Sequence, residues 1–150
     1  VTSTTASRVI PGSATAVFDH LTTLPLHESL IPFTRITARP GPAEVGDTIV
    51  AVTGRRLRDV MLVTRADPPD GAPHPCPGVA VFEKVGPVLL GSATIQVSPL
   101  GPRTCRVDWT EDVHLARPLR LLHPLLAPAL HLMTARALRL AEDAVGRRTR

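Results

Sequence analysis

The 150-residue chain has no tyrosine, one tryptophan, three phenylalanines, two cysteines and a single lysine, Lys84. Each shortage excludes something. At 3% aromatics there are few stacking platforms for single-stranded nucleic acid, so no nucleic-acid partner is expected. Cys76 and Cys105 form no C-x-x-C pair and no spaced Cys/His finger, which leaves neither a disulfide framework nor a zinc site. Two free thiols suit a reducing, cytoplasmic setting. No apolar run reaches the roughly 18 residues of a membrane span, because Leu119–Leu140 is broken by Arg, His and Pro. The Thr/Ser-rich start, Val1 to Ser7, reads as no signal peptide. G-x-S-x-G, P-loop and H-E-x-x-H motifs are missing, and no metal or cofactor is expected.

What is present is enough apolar residue, 43%, for a packed core, and the length suits one domain over residues 1–150. Net charge is +4, and sixteen of the seventeen basic residues are arginine. Clustered arginine can mark a phosphate footprint. Here no basic block exceeds three residues and acids are interspersed, so a solvated basic surface is the simpler reading.

Punctuation by Pro and Gly divides the chain into elements. Thr2 to Ile10 is β-rich and stopped by Pro11-Gly12; Ser13 then caps a helix carrying Ala16, Val17, Phe18 and Leu21. A second short helix is expected from Leu26 to Ile31, before Pro32. Strands follow at Phe33–Ala38, Thr48–Thr53, Arg58–Ala66, Gly78–Val85, Val88–Val97 and Thr104–Leu115, with a Pro-rich loop from Asp67 through Gly71 to Gly78. Turns at this spacing predict one antiparallel meander. The chain closes on a helix whose apolar stripe is read as Leu119, Leu122, Leu126, Leu130, Met133, Ala137, Leu140 and Ala144. Pro118 fits its first turn; Pro124 and Pro128 imply a later start or a kink. Arginines opposite that stripe would suit a membrane surface, but the core needs the stripe.

Three stretches carry a family resemblance: Ser13-Ala-Thr-Ala-Val-Phe-Asp-His-Leu after the first strand, Asp67-Pro68-Pro69 ending a central strand, and Gly91-Ser92-Ala93-Thr94 followed by Pro99-Leu100-Gly101 and Val107-Asp-Trp-Thr-Glu-Asp-Val113. In these the chain resembles the START/Bet v 1-like (SRPBCC) superfamily, in its bacterial polyketide cyclase/dehydratase branch. The resemblance implies an α+β helix-grip fold, with a curved antiparallel sheet of about seven strands wrapped on the long C-terminal helix. It also implies an apolar small-molecule cavity between the two. Relatives include cyclases, aromatases, lipid carriers and hormone receptors.

Alternation along the last strand places Val107, Trp109, Glu111 and Val113 on one face and Asp108, Thr110, Asp112 and His114 on the other. The first face is the cavity face, so Glu111 must pair, bind a ligand or take up a proton. That suits a general acid or base; the alternative is an ion pair with Arg65 or Arg120. Trp109 is either a stacking wall for a flat ligand or a core plug. The faces of residues 59–66 and 79–85 stay open, and an inward Glu83 would make a carboxylate pair with Glu111. His131 or His20 could supply a cavity histidine; Glu111 and His131 are the catalytic candidates. The expected ligand wall is Trp109, Glu111, Val113, Phe33, Met61, Ile95, Leu126, Leu130 and Met133. The function read from this is binding of a small hydrophobic or polyketide-like molecule, with cyclase, aromatase or dehydratase chemistry in view. The alternatives are a lipid or aromatic-compound carrier or sensor, or a protein-interaction module with a filled core. A monomer or homodimer is expected.

Overall fold

A computed structural model describes residues 2–29, 31, 33–70, 74–117 and 119–148. Strand β1 (Thr2–Pro11) leads into helix α1 (Ala14–Thr22). The Ser13 hydroxyl accepts the Ala16 N–H at 3.2 Å, which fills one of the orphan donors of the first turn. A 3-10 helix (Leu24–Ser29) follows. Six strands then run as a meander: β2 (Thr34–Thr37), β3 (Thr48–Thr53), β4 (Leu57–Asp67), β5 (Gly78–Pro87), β6 (Leu89–Gly101) and β7 (Thr104–Leu115). A second 3-10 turn (Leu119–Leu122) opens helix α2 (His123–Arg148). The expectations for Pro32, Gly71 and Pro118 lie outside the described residues.

The seven strands form one curled antiparallel sheet in the order β1-β7-β6-β5-β4-β3-β2. In β7, Trp109 lies opposite Ala6 of β1 and Ile95 of β6, and Glu111 lies opposite Thr4 and Ala93. Gly91 lets the sheet curl: its φ is 125°, and a Cβ there would run into the Asp112 carbonyl oxygen of β7. The inner face packs on α1 and α2, with Ile10, Val17, Leu21, Val97, Val107 and Leu138 at the centre of the core. The Arg8–Glu142 ion pair ties β1 to α2 on the outside.

Several element boundaries differ from expectation. The first 3-10 helix starts at Leu24, two residues earlier than read from Leu26. Strand β6 runs on to Gly101 through a bulge at Leu100, beside Pro99, so the stretch Pro99 to Pro102, whose composition predicts a turn, is mostly strand. A proline is tolerated at a bulge because the ladder bond there is already broken. Helix α2 starts at His123, with Pro124 in its first turn and Pro128 inside it. Its buried face is Leu130, Thr134, Ala137, Leu138, Ala141 and Val145. The expected stripe is corrected on this point: Leu122 is exposed, while Leu140 and Ala144 are only half-buried. Leucine occurs on every side of this helix, so periodicity alone could not choose the inner side. Thr134 fits the interior because its hydroxyl donates to the Leu130 carbonyl at 2.9 Å.

Candidate functional site

Between the sheet and α2 lies an interior cavity of about 60 Å³. Most of its wall is apolar: Ile36, Ala51, Met61, Phe82, Ala93 and Ile95 from the sheet, Leu24 and Ile31 before β2, and Met133 from α2. Four further side chains give it chemistry: His27, Lys84, Trp109 and Glu111.

Glu111 projects inward from β7 and is 1% exposed. Its neighbour across the cavity is the chain's one lysine. Lys84 Nζ sits 3.0 Å from Glu111 Oε2, and Lys84 is itself 9% exposed. Trp109 Nε1 donates to Glu111 Oε1 at 3.0 Å. The carboxylate thus has a donor on one oxygen and an ammonium beside the other. The Lys84 contact is one of charge: Oε2 has no aligned hydrogen bond among the described residues. Removing two charges from water is costly, and such a pair persists only where each charge compensates the other.

The face assignments of β5 follow from this. Ala80, Phe82 and Lys84 point inward, whereas Glu83 is exposed on the outer face and forms no carboxylate pair with Glu111. The partner of Glu111 is Lys84, neither Arg65 nor Arg120; Arg65 is on the surface with Asp67.

His27 closes the cavity from the first 3-10 helix. Its ring lies 5.6 Å from that of Trp109, centre to centre, at 44°. Its Nε2 is 2.7 Å from the Leu21 carbonyl, which only accepts, so Nε2 carries the proton and Nδ1 keeps a lone pair. Burial lowers the His27 pKa to about 4; the bond to Leu21 opposes this and nearby His20 adds to it. The ring is neutral at pH 7. His20, on α1, is also buried, with Nδ1 unpartnered among the described residues. Its pKa is lowered by burial and then by Arg148.

Of the residues expected at a site, the cavity brings together Trp109, Glu111, Met61, Ile95 and Met133. The others lie elsewhere. Phe33 stands in solvent before β2, on an outer groove with Arg35 and Arg55. Val113 is buried outside the cavity lining, as is Leu130, and Leu126 is half-buried outside it. His131 is exposed on α2, with Nδ1 3.3 Å from the Thr4 hydroxyl, and does not line the cavity. His20 does not line it either. Sequence reasoning missed Lys84 and His27. A lone lysine among sixteen arginines, in phase with Ala80 and Phe82, was the available signal for the first. None marked His27, whose position depends on a 3-10 turn. Among the described residues no three His, Cys, Asp or Glu side chains converge as a metal site.

The fold and this cavity can be set against known proteins. A family model described as polyketide cyclase/dehydrase and lipid transport matches residues 1–145. The chain belongs to that family.

Solved structures similar to this cyclase/dehydrase-family chain agree on the fold. The Zhui aromatase/cyclase from Streptomyces sp. R1128 superposes with a TM-score of 0.70 at 12% identity, over 99% of this chain and 96% of that one. A norcoclaurine synthase point mutant from Thalictrum flavum, in complex with a transition-state analogue, gives 0.69 at 14% identity, over 99% and 96%. A protein of Thermus thermophilus gives 0.73 at 15% identity, over 99% and 100%. At such identities the likeness is one of fold. No curated protein matches the chain in sequence. The family and these neighbours support a ligand-binding fold for the chain.

Proposed function

We propose that this family member binds a small, mostly apolar molecule bearing an oxygen acceptor in its interior cavity and moves protons on it, in cyclisation, aromatisation or dehydration. The observation that carries this reading is the Lys84–Glu111 pair, buried where the rest of the wall is apolar. A carrier needs no such pair, and an ion pair in a core is rarely favoured over apolar packing. In the proposed reaction Lys84 donates an N–H to a carbonyl oxygen and stabilises the enolate as it forms. Glu111 holds the ammonium in place. Neutral His27 offers Nδ1 to the α-proton; its low pKa makes it an available but weak base. Trp109 supplies the flat wall.

The cavity volume favours a second reading. About 60 Å³ is room for a few waters, well below the roughly 300–1,000 Å³ of pockets that enclose drug-sized ligands. A larger ligand must displace Met61 and Met133, whose unbranched side chains repack readily. If they do not yield, the chain is a filled-core interaction module.

The only tryptophan lies in the cavity wall and reports on both readings. Titration with small β-diketones should give a saturable change in Trp109 emission, and NMR in D₂O should show catalysed exchange of the α-protons. Lys84→Met and Glu111→Gln should each slow the exchange at least tenfold. Exchange unchanged in both variants would remove the catalytic role. Emission that never saturates would remove the ligand.

A further inference from the structure

One end of the sheet gathers features that the cavity does not use. The start of β2, the β3–β4 turn, the β5–β6 turn, the end of β7 and the start of α2 all lie there, as the strand register requires. Two of these places hold apolar side chains out in water. Phe33 is 90% exposed, with a φ of 58° that non-glycine residues rarely adopt, and its carbonyl accepts the Gly54 N–H at 2.9 Å. Beside it, Leu57 is exposed. On the second 3-10 turn and the first turn of α2, Leu121 is 92% exposed, and Leu122 and Leu125 are also exposed. The same segments carry Arg35, Arg55, Arg56, Arg58, Arg117 and Arg120, all exposed. The ion pairs among the described residues use Arg8, Arg39, Arg65, Arg106 and Lys84, and none of these six. Asp59, on β4 at this end, accepts from the N–H groups of Val88 and Leu89.

Protruding apolar side chains set among unpaired arginines match an anionic lipid surface: the arginines meet the headgroups while Phe33, Leu121 and Leu125 enter the acyl boundary. A second copy of the chain fits less well, since any two-fold packing of this end would bring arginines near arginines. This is also the end nearer the cavity. Glu111 lies four residues from the end of β7 at Leu115 and seven from its start at Thr104. At about 3.3 Å per residue that is roughly 13 Å against 23 Å.

We infer that this end of the sheet is a peripheral membrane-docking surface that recognises anionic lipid headgroups and inserts Phe33, Leu121 and Leu125. It holds whether or not the cavity is catalytic.

Co-sedimentation of the full chain with vesicles tests it. The chain should pellet with vesicles of 30% phosphatidylglycerol in phosphatidylcholine, and not with pure phosphatidylcholine. Arg56→Glu/Arg120→Glu should weaken binding at least tenfold, and so should Leu121→Ser/Leu125→Ser at unchanged charge. Arg103→Glu/Arg147→Glu, an equal charge change at the far end, should weaken it less than threefold. Circular dichroism checks that each variant is folded. The inference is overturned if anionic vesicles leave the chain in solution, or if the far-end variant loses as much as the near-end one. It is likewise overturned if the leucine variant binds as the parent does while converting a dimer to a monomer in light scattering.

Discussion

Lys84 and Glu111 are worth most as a pair. Both are buried, so their energies are coupled and a single substitution reads the abandoned partner. Lys84→Met should cost about 3–5 kcal/mol in urea unfolding, because it leaves the Glu111 carboxylate uncompensated. The double variant Lys84→Met/Glu111→Leu should recover most of that loss. If the two changes simply add, the pair is not coupled. Glu111 was legible from alternation along β7, where Trp109 and Val113 mark the inner face. Lys84 was missed although it is in phase with Ala80 and Phe82, because β5 carries a charge on each face and parity alone does not say which is buried. Cys105 shows the same depth effect: burial raises its thiol to about 11, while Cys76 is exposed.

At the scale of elements, the β1–α1 junction and the ends of β7 were read well, whereas the end of β6 and the facing of α2 were not. Pro11-Gly12 and Ser13 locate the β1–α1 junction because a cap and a stop are local events. The two ends of β7 were read at Thr104 and Leu115 for the same reason. The inner face of α2 depends on what the helix meets, and leucine on several sides leaves the pattern degenerate. The curl of the sheet rests on single positions. At Gly91 a methyl group would meet the backbone of β7 and would also force an unfavourable φ. Gly91→Ala should therefore lower stability by at least about 2 kcal/mol, read as a drop in melting temperature. A change within about 0.5 kcal/mol would mean that the sheet relaxes freely there.

For the whole molecule, the buried histidines set the acid limit. His27 stays neutral down to about 4 in the folded chain, whereas the exposed ring in the unfolded chain takes its proton near 6.5. The unfolded state therefore binds more protons between those values, and stability falls as pH falls through that window. The shift corresponds to about 3 kcal/mol, present in full above 6.5 and lost by about pH 4. His20 is shifted in the same direction. Urea unfolding from pH 7 to pH 4 should show the decline, and His27→Gln should flatten it. An equal slope in that variant would assign the acid sensitivity elsewhere.

The sequence by itself determined the elements and their meander order, because strand alternation, Pro/Gly punctuation and a capped helix are local patterns; the sheet wrapped on the C-terminal helix was what the family resemblance implied. The sequence also determined that Glu111 is inside, since its strand has one clearly apolar face. Only the tertiary structure decided what Glu111 meets. Lys84 comes from β5, two strands away, and His27 from a turn that packs across the cavity. The same is true of the arginine- and leucine-bearing end of the sheet. Its segments are far apart in sequence, and the antiparallel register brings them together. Local pattern fixes which side chains share a face of their own element. Which groups it faces depends on how the sheet curls around α2, and no single segment encodes that curl.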